Sequence, residues 1–549
     1  MTPVRVISLL ICIIACAFPA ASHADVATSY VGWGAVAPAV SGSTYAPAFE
    51  WTGTAWKATA RASGQQVYLQ NFAPGWEWSW SADRGWLAIM TTDVTPTTSR
   101  PLAFQLPSSQ RLRASEKLVF AHYFTPYPIS LDNKPAADDY YTRNYLAIGG
   151  EANKHAAYGG LLRDRPLARA PIAGSSWQLD DMKTEVRRAV GAGIDGFTVD
   201  VLNVQGSNWD RLKLLTQAAA GVDPGFRIML MPDMTSMTTI TDVDLAAKMA
   251  ELAAMPSVMR LQDRRLVIAP FGAEKRTVAW WQGFNAIMRD RFGITVALVP
   301  CFVNPAQQDA FAPISYGLSN WGSRTVGQSA SLASQARRAH AAGKIWMQPV
   351  SAQDSRPNQG WFTEAEATST LRETFTAAVA DADWVQVPTW NDYSENSHIA
   401  PSTYNGRVWL DLSSWYITRM KTGATPTVTR DVLYATHRVQ TWAAQTSFVQ
   451  SKLMQLMAGS RPAVDIVEVT GLLTAPGTIS VTVGGVTTSQ AVGSGLQTVR
   501  VPLHAGNVSA RLVRDGVTVA AVQSPWTVQS VPERQEELYR SADSVSNPG

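Results

Sequence analysis

Charged residues and cysteines are scarce in this sequence. Only 16% of its 549 residues are charged, against about 25% in an average soluble protein. The 46 basic and 43 acidic side chains nearly cancel, leaving a formal net charge of +3. Because no basic block stands out, the charge pattern gives no electrostatic basis for binding nucleic acid. A hydrophobic content of 46% excludes a disordered or collagen-like chain, and the length predicts about three or four domains.

The N-terminal segment is typical of a secretory signal peptide. Arg5 precedes an apolar run over residues 6–15, and Ser22-His23-Ala24 forms a small-x-small cleavage pattern. The apolar run is too short to span a membrane. We therefore predict a signal peptide over residues 1–24, cleavage before Asp25 and a secreted protein.

Two of the three cysteines, Cys12 and Cys16, lie in this N-terminal segment. The mature chain keeps only Cys301, which excludes an intramolecular disulfide. Residues 13–16 resemble a bacterial lipobox, so an anchor through a lipidated Cys16 is the alternative to full secretion. No later run of about 20 apolar residues is present, so we predict no membrane span. A monomer is the default expectation for a secreted multidomain protein.

Tryptophan is abundant, with 20 residues. A chain rich in tryptophan and poor in charge suits a neutral ligand on which aromatic rings stack, and sugars are the obvious class. Residues 25–115 carry short alternating runs between turns, which predicts a β-rich domain. Trp76, Trp78 and Trp80 occur at period two on one of these strands, so they share a face. That face is either a platform for sugars or a buried surface, and burial is the favoured interpretation.

Residues 116–423 alternate between buried strands and helices. Stretches with helical periodicity, such as residues 181–192 and 329–342, separate eight apolar runs that are typical of buried strands. These runs begin at Lys117, Ile194, Phe226, Arg265, Ile294, Pro313, Lys344 and Asp383. The pattern predicts an α/β fold, a (β/α)8 TIM barrel. A doubly wound open sheet is the alternative, but no Gly-rich phosphate loop follows the first strand.

Three further segments follow the predicted barrel. Residues 424–463 contain a helical stretch and are predicted to form a helical connector. Residues 464–531 alternate cleanly, for example before Gly484-Gly485, which predicts a C-terminal β-sandwich. Residues 532–549 are polar and are predicted to form a frayed tail.

In a (β/α)8 barrel, catalytic groups lie at the carboxyl ends of the strands. No metal-binding motif and no nucleophile elbow is present in the sequence, so we predict no metal and no cofactor. Carboxylate chemistry on a neutral ligand remains, and it points to glycosidic bonds. The strand ends and the loops after them carry these candidates: His122, Asp200, Asn203, Asp233, Trp321, Trp390, Asn391, Asp392, Glu395 and His398.

Glycosidic hydrolysis needs two carboxyl groups, one to protonate the leaving oxygen and one to activate water or attack carbon. Asp392 and Glu395 lie three residues apart on one loop. In a helical turn this spacing places Cβ atoms about 5–6 Å apart, which leans toward a retaining enzyme. In an extended chain it spans about 10 Å, which leaves room for the water of an inverting enzyme. The spacing leaves both outcomes open.

The segment Thr389-Trp390-Asn391-Asp392-Tyr393-Ser394-Glu395-Asn396-Ser397-His398-Ile399 resembles the T-W-N-D-Y-G-E-S-H-Y-I signature of glycoside hydrolase family 71, the α-1,3-glucanases or mutanases. Four further segments that resemble the family occur in the right order, beginning at Val119, Ala192, Pro232 and Met347. Together the five segments span the predicted barrel. The chain is identified as a bacterial secreted member of this family.

The resemblance implies a (β/α)8 fold, inversion at the anomeric carbon and an essential carboxylate pair matching Asp392 and Glu395. We assign Glu395 as acid and Asp392 as base. A further family aspartate matches Asp195 or Asp200, and the position at the strand end favours Asp200. The resemblance implies substrate-binding roles for His122, Asp233, Trp390 and Asn391.

The sequence departs from the family signature in three places. Ser394 replaces a glycine, and Asn396 is an additional residue before Ser397 and His398. Residues 124–176, between the first strand and its helix, are longer than the family's usual connection. A long loop at a barrel mouth shapes the site or forms a lid, and packing on a flanking domain is the alternative.

These observations predict a secreted glycoside hydrolase that cleaves α-1,3-glucan of fungal walls or biofilm. One alternative is an endo-glycosidase acting on another α-linked polysaccharide, a mannan or a mixed α-glucan. The other is a non-catalytic polysaccharide-binding surface protein. The presence of both Asp392 and Glu395 argues against a pure binder, because binding alone requires no acid and no base.

Overall fold

The structure is a computed structural model that describes residues 101–446 and 450–548, together with five short strands among the first hundred residues. Two compact units are present, residues 1–100 with 219–226 and residues 101–218 with 227–549. The predicted signal peptide over residues 1–24 and the alternative anchor at Cys16 lie outside the described residues.

The strands of the first hundred residues form two small antiparallel sheets, one in the order β1-β5-β4 and one pairing β2 with β3. The predicted tryptophan row falls on β4, and its side chains lie outside what the structure describes. The strands are β1 (Val31–Gly32), β2 (Phe49–Trp51), β3 (Trp56–Ala58), β4 (Trp76–Ser81) and β5 (Gly85–Met90).

The second unit is built around a parallel sheet of nine strands. Each of the eight predicted apolar runs contributes to it, because strands buried on both faces read as continuous apolar runs. The strands are β6 (Leu118–Tyr123), β7 (Gly196–Val201), β8 (Arg227–Pro232), β9 (Leu266–Ile268), β10 (Val296–Leu298), β11 (Cys301–Phe302), β12 (Gly317–Asn320), β13 (Ile345–Pro349) and, after the short hairpin β14 (Asp354–Arg356) and β15 (Trp361–Thr363), β16 (Trp384–Val387).

The sheet is curled, and its strands follow one another in chain order. The order is β10-β9-β8-β7-β6-β16-β13-β12-β11, so the last strand pairs with the first. The two edge strands, β10 and β11, are consecutive pieces of chain separated by Val299 and Pro300. Val299 N–H donates to Ile268 O at 2.9 Å, and Ser319 N–H donates to Pro300 O at 3.0 Å. This connecting piece therefore hydrogen-bonds to β9 on one side and to β12 on the other.

Helices alternate with the parallel strands. Their ends follow ordinary capping chemistry: Thr277 Oγ1 accepts from Trp280 N–H where one helix begins, and Gly293 at φ +66° ends it. No helix in the described ranges is long and apolar enough to cross a membrane. The helices are α1 (Ser109–Arg113), α2 (Gly150–Asn153), α3 (Trp177–Val190), α4 (Gly206–Val222), α5 (Asp242–Ala253), α6 (Val278–Phe292), α7 (Gln308–Phe311), α8 (Ser329–Ala341), α9 (Ser369–Asp381) and α10 (Val408–Thr422).

The interior of the curled sheet is filled by apolar side chains that come from strands all round it. The buried members of this cluster are Phe120, Met229, Met231, Met259, Val267, Ala269, Ala297, Val299, Cys301, Met347 and Trp384. Side-chain layers of this kind fill a barrel rather than leaving a pore. The candidate site lies at the carboxyl ends of these strands.

Asp195 lies immediately before β7, at the end of the sheet opposite the candidate site. Its carboxylate binds Lys421 Nζ at 2.6 and 2.5 Å and accepts from Val119 N–H at 2.7 Å. The Lys421 side chain is fully buried, and burial lowers its pKa although Asp195 opposes that shift. Asp195 thus ties α10 to the start of two strands and lies away from the strand ends that carry the chemistry.

Replacing Asp195 with asparagine is expected to lower the free energy of unfolding by about 3–5 kcal/mol, because it leaves a buried lysine unpaired. Chemical denaturation measures this loss, and the catalytic rate should stay near that of the wild type. The exposed Asp263–Arg265 pair at 2.8 Å supplies the control, since Asp263→Asn should leave stability unchanged. Equal stability of the Asp195 and Asp263 variants would contradict this role.

The C-terminal part is a β-sandwich of two four-stranded antiparallel sheets, β22-β19-β17-β25 and β21-β20-β23-β24. Side chains from both sheets, such as Val469 and Ile479, form one apolar core. The strands are β17 (Val432–His437), β19 (Ile466–Leu473), β20 (Gly477–Val483), β21 (Val486–Val492), β22 (Gly495–Pro502), β23 (Val508–Arg514), β24 (Val517–Gln523) and β25 (Arg540–Asp543); β18 (Gln455–Leu456) pairs with β15 instead.

The predicted helical connector over residues 424–463 is wrong. Within the described part of that segment the structure has strands β17 and β18 and no helix. All six residues of β17 are buried, and the strand pairs with β19 on one side and with β25 on the other. The backbone N–H and C=O groups of β17 are thus hydrogen-bonded to strands distant in sequence. That pairing overrides the local helix preference of the segment.

The predicted frayed tail over residues 532–549 is also wrong. Leu538 and Tyr539 are buried, and the tail continues into β25 of the sandwich. The polar side chains that suggested a solvated tail have buried partners instead: Glu537 lies 3.2 Å from Arg438. Polarity alone therefore did not indicate exposure here.

Candidate active site

The loop after β16 carries Asp392 and Glu395 and is folded around the Asp392 carboxylate. Asp392 Oδ1 accepts from Ser394 N–H at 2.9 Å, from Ser394 Oγ at 2.6 Å and from Glu395 N–H at 3.2 Å. Asp392 N–H in turn donates to Thr389 Oγ1 at 2.8 Å. Ser394, which replaces the signature glycine, therefore adds a hydroxyl bond to one of the two carboxylates.

Burial gives Asp392 an unusual proton affinity. Only 6% of the residue is exposed. Burial raises the pKa of its carboxyl group to about 7, the negative charge of Glu395 adds to the rise, and the hydrogen bond from Ser394 opposes it. Asp392 is therefore suited to hold a proton near neutral pH.

Glu395 is held by two arginines. Arg356 Nη1 lies 2.6 Å from Glu395 Oε1, and Arg324 Nη1 contacts Glu395 Oε2. Burial by itself raises the pKa of Glu395, but the two guanidinium groups outweigh burial and hold that pKa below its ordinary value. Neighbouring carboxyl groups with such opposed environments are the pattern of an acid and a base.

Sequence reasoning missed these arginines and the aspartate that binds both of them. Arg324 lies in the loop after β12, and Asp354 and Arg356 belong to β14. Asp354 Oδ2 lies 2.8 Å from Arg324 Nη1 and 2.9 Å from Arg356 Nη2. Their position in loops that follow two barrel strands was the signal available in the sequence, because those loops meet at one mouth.

His122, Asp200 and Trp321 lie together beside Glu395. His122 Nε2 is 3.7 Å from Asp200 Oδ2, and the His122 ring packs edge-on against the Trp321 ring at 4.9 Å. Burial raises the pKa of Asp200, His122 opposes that rise, and Asp233 and Glu395 add to it. Asp200 Oδ1 has no hydrogen-bond partner among the described residues. The half-buried Trp321 ring is suited to stack on a sugar.

Asn203 and Asp233 differ in how available they are. Asn203 is exposed beyond the end of β7. Asp233 Oδ1 accepts from Thr235 N–H and Thr235 Oγ1, both at 2.7 Å, and Asp233 Oδ2 accepts from the Ser236 hydroxyl. The Asp233 carboxylate is therefore committed to its own turn, contrary to the substrate-binding role expected of it.

Trp390 is also not placed for the substrate contact expected of it. The residue is fully buried, its ring packs against Phe197 at 5.1 Å, and its Nε1–H donates to Glu185 on α3. Its backbone N–H donates to His122 O at 2.7 Å. Trp390 therefore anchors the loop of Asp392 between the sheet and α3.

Asn391 and His398 likewise lie beneath the site rather than in it. Asn391 Oδ1 accepts from Phe124 N–H at 2.7 Å, and its Nδ2 donates to Phe124 O and Tyr127 O at 2.9 Å. His398 is fully buried, with Nε2 at 3.0 Å from Asp164 Oδ2. Both side chains join the loop of Asp392 to residues 124–176, and neither reaches the open mouth.

The long connection over residues 124–176 is a platform for the loop of Asp392. Tyr127, Tyr141, Leu162 and Tyr393 form one buried apolar cluster between the two segments. Backbone hydrogen bonds, such as Thr403 N–H to Arg165 O at 3.0 Å, continue this contact. The connection therefore packs against the loop of Asp392, as a scaffold would.

No group of three or more His, Cys, Asp or Glu side chains within the described ranges is arranged to hold a metal ion. The sole cysteine there, Cys301, is buried. The side chains that meet at the mouth are thus carboxylates, arginines, a histidine and a tryptophan. Such a set supports proton transfer to and from a neutral ligand.

Comparison with known proteins agrees with this chemistry. The profile of Glycosyl hydrolase family 71 matches residues 172–539. The chain belongs to this family. It is a glycosidase, and the carboxylate pair lies inside the matched residues.

Individual relatives are distant. A mutanase of Penicillium rubens is 25% identical over 384 residues, which cover 64% of this chain and 82% of that protein. A glucan endo-1,3-alpha-glucosidase of Schizosaccharomyces pombe is 22% identical over 391 residues, 66% of this chain and 89% of that protein. Among solved structures, a family 99 endo-alpha-mannosidase of Bacteroides thetaiotaomicron superposes with a TM-score of 0.43 at 12% identity, covering 56% of this chain and 98% of that one.

Proposed function

We propose that this family 71 member is a secreted inverting hydrolase of α-1,3-glucosidic bonds in a polysaccharide. The observation that carries the proposal is the pair of Asp392, which is buried, and Glu395, which is half-buried and held by two arginines; their pKa values are shifted in opposite directions. The printed names of the relatives, mutanase and endo-1,3-alpha-glucosidase, supply the linkage. The signal-like N-terminal segment supports secretion, and the chain is proposed to act as a monomer.

The curled sheet is best read as a closed (β/α)8 barrel. Its edge strands β10 and β11 are pieces of one strand, and the residues between them hydrogen-bond to β9 and β12. Counting this pair once leaves eight strands. Asp392 and Glu395 follow the last of them, at the end of the barrel where such enzymes place their chemistry.

The electrostatics favour Asp392 as acid and Glu395 as base, the reverse of the order assigned from sequence. Asp392, with its raised pKa, donates a proton to the glycosidic oxygen as the bond to the anomeric carbon breaks. Glu395, kept ionised by Arg324 and Arg356, takes a proton from water, and that water's oxygen attacks the anomeric carbon from the opposite face. The product has the inverted configuration, Asp392 is left ionised and Glu395 protonated, and solvent exchange restores both.

The remaining mouth residues divide into two groups. His122, Asp200, Asn203 and Trp321 are proposed to contact sugar, because Asn203 is exposed, the Trp321 ring is half-buried, and His122 lies against that ring and 3.7 Å from Asp200. Four others are proposed to position the site from beneath or beside it: Asp233, Trp390, Asn391 and His398.

The purified mature protein is expected to release reducing sugar from insoluble α-1,3-glucan and to leave dextran, starch and β-1,3-glucan uncut. The fresh product, followed by proton NMR before mutarotation, should be the β-anomer. An α-anomer would contradict inversion but not the activity. Cleavage of an α-mannan instead would show that the substrate is a mannan. Binding without cleavage of any of these polymers would contradict the enzyme assignment for this substrate class.

A further inference from the structure

We infer that Arg324, Asp354 and Arg356 form a positioning network that holds Glu395 in one orientation as a carboxylate, ready to accept a proton from water. The inference rests on the proposed function, because that function assigns Glu395 as the base. It adds three residues to the machinery of the site, none of which belongs to the signature segment.

The network consists of two cations and two anions joined in a closed set of contacts. Each Glu395 oxygen binds a different arginine, and Asp354 binds both arginines from the other side. The Arg324 and Asp354 side chains are only 2% and 3% exposed. Arg356 forms a bidentate pair with Asp354 through Nε and Nη2, at 2.8 and 2.9 Å, and this fork fixes the guanidinium plane so that Nη1 reaches Glu395 Oε1 at 2.6 Å. The two carboxylate oxygens keep further lone pairs, so proton acceptance remains open to Glu395.

The hairpin of β14 and β15 also holds the backbone of Glu395. Ser355 N–H donates to Glu395 O at 2.8 Å, and Asn396 Nδ2 donates to Ser355 O at 2.7 Å. Asn396 is fully buried and adopts φ +51°. It is the additional residue relative to the family signature, so this chain's own departure from the pattern supplies one of the two bonds that seat the hairpin beside Glu395.

The charges around Glu395 decide the sign of the effect. The two arginines lower the pKa of Glu395, whereas burial and the neighbouring acidic groups raise it. The titratable and charged groups that face Glu395 come from three strands and three loops. They are His122 on β6, Asp200 on β7, Asp354 and Arg356 on β14, and Tyr127, Arg324 and Asp392 in the loops after β6, β12 and β16. Removing one arginine therefore leaves Glu395 in an excess of negative charge and makes it easier to protonate.

The test is the pH profile of kcat on α-1,3-glucan for Arg356→Met. A base works only when ionised, so the acidic limb of the profile reports its protonation. An adjacent opposite charge lowers a carboxyl pKa by about 1–3 units, so the limb should move to higher pH by about one unit or more. Arg356→Lys, which keeps the charge, should leave the limb close to its wild-type position.

The matched control is Arg514→Met, which removes a bidentate ion pair with Asp431 in the sandwich, at 2.6 and 2.7 Å and with similar exposure. It should lower melting temperature without moving the limb. An unmoved limb in Arg356→Met, or an equal shift in Arg514→Met, would overturn the network. A 13C NMR titration of the Glu395 carboxyl, assigned with Glu395→Gln, tests the network even if no glucan is cut, so its failure is distinguishable from failure of the proposed function.

Discussion

Asp392→Asn is expected to lower kcat on α-1,3-glucan by at least about 10²-fold, because an asparagine cannot donate the proton that a sugar leaving group needs. The isosteric amide keeps the turn that Ser394 and Glu395 make around this side chain. Binding to insoluble glucan should therefore survive. The basic limb of the pH profile should disappear, since the group with the raised pKa is the one removed.

Substrates that differ in leaving group separate this role from a general loss of structure. An aryl glycoside of an α-1,3-linked gluco-oligosaccharide has a leaving group that departs without protonation, so Asp392→Asn should cut it at close to the wild-type rate. Asp309→Asn is the control, because that carboxylate is 73% exposed and its ion pair within the described part of the chain is with Arg338. Equal loss on polymer and aryl glycoside would show that Asp392 is not the acid.

Glu395→Gln is expected to lower kcat by at least about 10²-fold on both substrates, because water activation is needed whatever group leaves. Azide, which attacks without losing a proton, should restore turnover of the aryl glycoside and give a glycosyl azide of inverted configuration. Product analysis by NMR checks the anomer. If Glu395→Gln instead cut the aryl glycoside at close to the wild-type rate without azide, Glu395 would be the acid. The order first assigned from the sequence would then hold.

The two variants together test whether this pair is the catalytic one. Loss of the proton donor or of the water-activating base slows any enzyme whose chemistry depends on them. If Asp392→Asn and Glu395→Gln both kept near wild-type rates, this pair would not be the catalytic one. The buried ion pairs of Glu395 would then be a purely structural feature.

Several residues that flank the pair are proposed to act through the protein rather than on the substrate. Trp390 binds Glu185, Asn391 binds the backbone of the long connection, and His398 binds Asp164. Each fixes the loop of Asp392 to a different neighbour: α3, residues 124–127 and residue 164. Side chains that the sequence motif suggested as substrate ligands are thus, for the most part, hydrogen-bonded to other parts of the protein.

Local patterns identified the strands of the sheet well because they are physically simple. Parallel strands are buried on both faces and give continuous apolar runs, so runs beginning at Lys117 and Ile194 mark β6 and β7 closely. The same reasoning failed after α10. Strand β17 is stabilised by pairing with β19 and β25, and β25 lies about a hundred residues further along the chain. No local pattern reveals such a partner.

The sequence by itself determined the alternating α/β architecture, the chemical type of the site and the loop that bears Asp392 and Glu395. Those features depend on periodicity and on residue types within a few positions of each other. Only the tertiary structure places the charges that shift the pKa values of these two carboxyl groups in opposite directions. Arg324 and Arg356 reach Glu395 from loops 71 and 39 positions earlier in the chain, as their residue numbers show. A pKa depends on burial and on charges a few ångströms away, and three-dimensional packing sets both.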